Sequence, residues 1–448
     1  MSPRFLVLAD SDSYVKWGAA FASRLPRGWR AELAILATPV APSARQLRAA
    51  LAGSVFDVSD VTFLELHEVE QHLAVRRPDV MLLAMRGPLV RVVTPIVGRA
   101  PDRPVLVSGF PGLTIPAEPK AIIYREQVDL IVLQSRREVR EFRANAEQLG
   151  IPVGFGLATL PFLSETRRAD VPAEGDGEPS ALERPDLVFA AQAKVPAARE
   201  DRVRLLGWLV DAARRRPSRR VVVKVRARRG EAQTHDEAYD FGDLLDDPGV
   251  RAELGGTLPP NLVVEDGPMA EHLERAAALV TVSSTAVLEA IAAGVPAVVV
   301  DEFGIAPKLI NTVFEGSGLF GGAEAVAGWD ARHPSAEWLD DNYFHGREHD
   351  DWPARVGELL ERRAAAPLPL RERRYNLTGG ALRRSFERKR MLGEFDRSFA
   401  GSVSVVFALP SRWVVRRVRQ VRRRLAGEPA TPQLGARELR SPQLVDAA

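Results

Sequence analysis

Short, almost uninterrupted apolar runs alternate along this chain with longer stretches that carry one apolar face. From Arg4 to about Thr159 the runs read RFLVLA, AELAILA, VTFLEL, DVMLLAM, PVLVSGF, DLIVLQS and IPVGFGLA. Between most of them lie amphipathic segments such as SARQLRAALAG and RREVREFRANAEQLG. A strand that is apolar throughout is buried on both faces, and strands that alternate with helices run parallel. The pattern predicts a parallel sheet with helices on both sides. It breaks at SETRRADVPAEGDGEPSALERPD, which is acidic, rich in Pro and Gly and without periodicity, and therefore reads as a linker. It resumes with LVFAAQA, RVVVKVR, NLVVEDG, ALVTV and PAVVV. The expected fold class is α/β, with two tandem Rossmann-like, doubly wound parallel-sheet domains at 1–163 and 186–330 joined by a linker at 164–185. A charged helical region at 331–395, a basic amphipathic helix at 396–426 and a disordered tail at 427–448 are expected to follow.

Composition removes several alternatives. The chain of 448 residues has no cysteine, which excludes disulfides, thiolate metal sites and a Cys nucleophile. A formal net charge of +2 implies no general nucleic-acid role. The start MSPRFLVLAD holds one strand-length apolar run and then turns acidic, unlike a signal peptide. The late run SVSVVFALP is too short to span a bilayer. A cytoplasmic protein is expected, with peripheral attachment at the inner face of the plasma membrane as a further option. The option comes from RWVVRRVRQVRRRL, where Trp413 or Val414, Val418, Val421 and Leu425 recur at helical spacing among arginines. Residues 411–425 suit either an anionic membrane surface or packing onto the first domain.

In an open α/β sheet, ligands bind beyond the C-terminal ends of the strands. That rule collects Lys224 and Arg226, then Glu265, Asp266 and Gly267, then Ser283, Ser284 and Thr285, then Asp301 and Glu302 on one rim of the second domain. Ser283 and Ser284 stand where a helix begins, a place that holds phosphate and equally one where serine caps the helix. Glu289 lies one helical turn after Thr285, with Val287, Leu288 and Ile291 read as core-facing and Ala286, Ala290 and Ala293 as its small neighbours. A carboxylate beside an anion-binding helix end suits ribose hydroxyls beside a diphosphate.

The stretch EDGPMAEHLERAAALVTVSSTAVLEAIAAGVPAVVV resembles the nucleotide-binding region of GT-B glycosyltransferases. There a helix start meets the donor phosphates and a Glu further along that helix meets the ribose. The Ser-Ser step also resembles glycosyl- and glycerophosphotransferases of bacterial envelope and capsule polymers. Over most of its length the chain resembles an actinobacterial family described as glycosyltransferases, through DSDSYVKWGAAFASRLP, VFAAQAKVP and VVVKVRARRGEAQTHDE. The resemblance implies a metal-independent glycosyltransferase without a cofactor. It would use a nucleotide-activated sugar and a glycan or lipid-linked acceptor of the cell envelope or a secreted polymer. The capsule relatives often carry a His-Pro pair where this chain reads KVRARRGEAQTHD; Lys224, Arg226 and Arg228 are the cations that would replace it, with His235 on the same loop.

In the first domain, Asp10, Ser11, Asp12 and Ser13 follow the first strand directly. The resemblance turns that loop toward the interdomain cleft, where a general base is needed to deprotonate an acceptor hydroxyl. Asp12 is the first candidate and Asp10 the second, with Ser13 and Lys16 for the acceptor; helix capping by Asp is the alternative. Gly109 and Gly112 in SGFPGL would let backbone approach a ligand, or simply make a turn. Other chemistries remain: glycerophosphate transfer or sugar epimerisation on the same fold, a phosphatase with Asp10 as nucleophile, or sugar or nucleotide binding without catalysis.

Overall fold

The computed structural model describes residues 2–160, 163, 184–225, 238–375 and 380–398. Arg226, Arg228, His235, most of the linker and the basic stretch 411–425 lie outside the described residues.

Every apolar run of the first half becomes a strand of one sheet: β1 (Arg4–Ala9), β2 (Arg30–Leu36), β3 (Val61–Leu64), β4 (Val80–Ala84), β5 (Val105–Gly109), β6 (Leu130–Leu133) and β7 (Gly154–Leu157). All pairings are parallel, in the order β3-β2-β1-β4-β5-β6-β7. Both faces are covered. Val7 and Leu8 point to opposite sides of β1, and each is fully buried in a different core cluster. The second sheet comprises β8 (Asp186–Ala190), β9 (Arg220–Lys224), β10 (Leu262–Glu265), β11 (Ala276–Thr281), β12 (Ala297–Val300) and β13 (Phe320–Gly321). Its order is β10-β9-β8-β11-β12-β13, again parallel. The sequence pattern missed β13. It pairs only Phe320 and Gly321 with the end of β12, too short to leave a periodic signal.

Helix Asp12–Ala22 lies very close to the first sheet. A Cβ on Gly18 would stand 2.7 Å from Val7 Cγ1 and 3.2 Å from the Ala84 methyl. This close seat draws the start of the helix onto the ends of β1 and β4. Helix Trp352–Ala365 leaves the second domain and returns to the first, where the Trp352 ring sits 4.5 Å from that of Phe21 and Val356 is fully buried. Tandem sheets with a returning C-terminal helix make the GT-B arrangement. The two domains also share a core in which Ile115 and Leu160 of the first meet Leu288 and Tyr343 of the second. Among the described residues no helix is long and apolar enough to cross a membrane.

Candidate active site in the interdomain cleft

Each sheet has one point where the strand order reverses, and there the flanking loops diverge and open a crevice. In the first sheet it lies between β1 and β4, in the second between β8 and β11. Asp10 and Arg86 flank the first, Gln192 and Ser283 the second.

Asp10 has no exposed surface. Its carboxylate accepts from Arg86 Nε at 2.5 Å and from the Arg86 main-chain N–H at 3.3 Å. Burial pushes its carboxyl up, and the Arg86 guanidinium opposes that. This corrects two expectations. A sealed carboxylate clamped to Arg86 cannot act as general base on an acceptor, nor as a phosphatase nucleophile. Beside it, Arg125 is also buried, stacked 4.0 Å over Phe110 and bonded to Ser108 Oγ and Tyr14 OH.

Asp12 fares differently because it is the first residue of its helix and half-buried. Ser11 is the N-cap, and its side chain makes no capping hydrogen bond. Half-buried Ser13 places its Oγ 3.4 Å from Asp12 Oδ1. One turn on, Lys16 Nζ reaches across to Glu289 Oε1 of the second domain at 3.5 Å. Helical spacing puts Asp12 and Lys16 on one face, and that face looks at the second domain.

The two glycines serve packing. A Cβ at Gly109 would meet Trp17 Cη2 at 2.6 Å and the Val132 carbonyl at 2.8 Å, so the residue makes room for the indole, not for a ligand. Gly109→Ala should therefore destabilise the fold by about 1–3 kcal/mol, the usual range for overpacking. Urea denaturation reads this directly; an unchanged midpoint would mean that the indole has slack. Gly112 meets the second domain, its Cβ position lying 3.2 Å from Thr285 Cγ2.

On the second domain's rim, Ser283 is buried and Gln192 holds it twice. The Ser283 N–H donates to Gln192 Oε1 at 2.8 Å, and Gln192 Nε2 donates to Ser283 Oγ at 3.0 Å. Ser283 thus ties β8 to β11 across the crevice and is not offered to a ligand as expected. Ser284 Oγ accepts from the Ala286 N–H at 3.2 Å in a turn just before the N-cap Thr285, while the Ser284 N–H bonds Thr281 Oγ1 at 3.0 Å. Helix Ala286–Ala292 turns Thr285 and Glu289 to the first domain. Val287, Leu288, Ala286 and Ala290 pack in the core, whereas Ile291 is only partly buried, as Ala293 is, which exchanges the places expected of Ile291 and of Ala286 and Ala290. Glu265 turns back along the sheet to pair with Arg220, with His272 Nδ1 at 3.6 Å, so it faces away from the donor position. Asp266 accepts from His272 through its carbonyl at 3.0 Å. Lys224 ends β9, two strands from Ser283 along the rim. A hollow of about 660 Å³ lined by Trp29, Glu32, His72 and Arg76 opens near the start of β2, apart from all these groups.

Arg86 and Gln192 were not anticipated. Each is the first long polar side chain beyond a strand that borders a reversal point, but strand order cannot be read along the sequence.

No curated protein matches this sequence. Solved structures of similar outline include MnaA of S. aureus with UDP, at 9% identity over 80% of this chain and 95% of that one, TM-score 0.48. The UDP-GlcNAc 2-epimerase of Methanocaldococcus jannaschii gives 10% identity, 80% and 99% coverage and 0.48. A UDP-glucosyltransferase of Polygonum tinctorium gives 14%, 82% and 95%, and 0.44. Residues 5–359 match the family described as "Putative glycosyltransferase (DUF6716)", and the chain belongs to that family.

Proposed function

We propose that the protein transfers a sugar from a nucleotide-activated donor to an acceptor hydroxyl in the cleft between helices Asp12–Ala22 and Ala286–Ala292. The observation that carries this reading is the 3.5 Å approach of Lys16 and Glu289, which sets the candidate base and the candidate ribose ligand on opposing walls of one cleft. Glu289 takes the ribose hydroxyls. Ser284, Thr285 and Lys224 serve the diphosphate, and cationic and dipolar groups stabilise the departing nucleotide in place of a metal. Asp12 accepts the proton of the acceptor hydroxyl as the new glycosidic bond forms, which requires it within hydrogen-bond reach of that oxygen.

The test is a thermal-shift titration with UDP, GDP, CDP, ADP, CMP and dTDP, in EDTA and in Mg²⁺. One nucleotide should stabilise the protein equally in both, by about 2.7 kcal/mol at about 100 times its dissociation constant. No response to any nucleotide would remove the donor site. A response confined to Mg²⁺ would remove the metal-free mechanism.

A further inference from the structure

The crevice between β1 and β4 holds a cationic group that none of these roles uses. We propose that Arg86 binds an anionic group, a phosphate or phosphodiester, carried by the acceptor. The word acceptor rests on the glycosyl-transfer reading; the anion site rests on the geometry alone.

The charges at this crevice do not balance. Arg125 is buried, and its side-chain hydrogen bonds go to neutral oxygens: Ser108 Oγ at 3.0 Å, Tyr14 OH at 3.2 Å, and the carbonyls of Met85, Gly109 and Ala121 at 3.2, 3.1 and 3.3 Å. The carboxylate that acts on Arg125 is Asp10. Asp10 is already bound directly by Arg86 through Nε and the main-chain N–H. Two guanidinium groups thus share one anion, and a positive charge is left over in a place where burial makes an uncompensated charge costly.

Arg86 also shows where such an anion would sit. Asp10 occupies its Nε edge, while Nη2 is shielded from water and has no acceptor. The Arg86 side chain is a quarter exposed, and an anion would approach from that open part. A buried N–H of a cation without an acceptor is a strong penalty, and a phosphate oxygen would remove it once the guanidinium turns Nη2 toward the open side of the crevice. The planar fork suits phosphate better than a lysine would.

The position fits an acceptor group. In the sheet, β4 lies between β1 and β5. The helix after β1 sends Lys16 to Glu289, and the loop after β5 brings Gly112 against Thr285. Arg86 therefore emerges between two contacts to the helix that carries the donor ligands. It belongs to the first domain's wall, opposite the diphosphate position.

Binding of inorganic phosphate, followed by calorimetry in a phosphate-free buffer, tests this with and without each of UDP, GDP, CDP and ADP at saturation. The wild type should bind phosphate at millimolar concentration, and saturation with a nucleotide should leave that binding in place. Arg86→Met should weaken it at least about tenfold, the loss of a hydrogen bond to a charged group, and leave the nucleotide affinity unchanged. Should Arg86→Met fail to fold around an unpaired Asp10, the double variant Asp10→Asn/Arg86→Gln removes both charges together and is read the same way. Absence of phosphate binding to the wild type, or equal binding to the variants, overturns the site. Displacement of phosphate by a nucleotide, with an equal loss of nucleotide affinity in Arg86→Met, assigns the anion to the donor and overturns the acceptor assignment. If no nucleotide binds any form, the glycosyl-transfer reading falls, while the phosphate measurements still decide the anion site.

Discussion

Glu289→Ala should weaken nucleotide binding about 10- to 100-fold, because it removes hydrogen bonds from a carboxylate to the ribose, each worth about 1.5–3 kcal/mol. Stability should hardly change, since Glu289 is partly exposed at the cleft and its ion pair spans 3.5 Å to Lys16, whose side chain is half-exposed. Such pairs contribute about 0–1 kcal/mol. The same inequality says that ribose wins the competition for Glu289. Lys16→Met should then leave the nucleotide affinity within about fivefold of wild type, or tighten it slightly. Calorimetry with the nucleotide and its 2′-deoxy analogue locates the effect. The wild type should prefer the ribonucleotide, and Glu289→Ala should not distinguish the two. A Glu289→Ala protein that binds both as the wild type does would take the ribose away from this residue.

The strands were legible because burial on both faces writes them as continuous apolar runs, and the rims followed from where those runs end. Neighbours on a rim were harder to separate. Asp10 and Asp12 stand two residues apart, yet one is sealed against Arg86 and the other starts a helix facing the cleft. What separates them is an arginine 76 residues along the chain, placed opposite Asp10 only by the crossover from β1 to β4. Ser283 illustrates the same limit. It was read as standing where a helix begins, yet the N-cap is Thr285, and the Ser283 hydroxyl and N–H are taken by Gln192, which lies 91 residues away and carries no pattern of its own. The Glu289 face was visible from spacing with Thr285, whereas the division of labour between Ile291 and its alanine neighbours depended on which side of the helix the core covers.

The contact between the domains is held by a buried acid, and its loss should be highly damaging to the fold. Glu138 is fully buried in helix Arg136–Leu149. Its Oε1 accepts from Thr114 Oγ1 at 2.6 Å and from Tyr343 OH at 2.8 Å, and its Oε2 accepts from the Gln134 N–H at 2.8 Å. Tyr343 belongs to the second domain's core, so one carboxyl joins the two domains. Glu138→Ala leaves two buried donors and the half-buried Thr114 hydroxyl without this acceptor and opens a cavity, a combination expected to cost on the order of 3–5 kcal/mol. The pairs Arg136–Asp340 and Arg140–Asp341 on the same helix are too exposed to compensate. Glu138→Gln should behave differently, since its oxygen can face the Gln134 N–H while its amide donates to two hydroxyls that rotate to accept. Burial raises the Glu138 carboxyl above its ordinary 4.5. The folded protein therefore holds this proton more tightly than the unfolded chain. The stability linked to it is full below the unfolded value and is lost as pH rises through the raised folded value. Across that window the wild type should lose ground to Glu138→Gln, a trend that urea denaturation at a series of pH values would follow. A Gln variant as unstable as Ala at every pH would mean that the charge itself holds the domains together, and an Ala variant as stable as wild type would mean that the apolar contacts of Ile115, Leu160 and Tyr343 suffice without it.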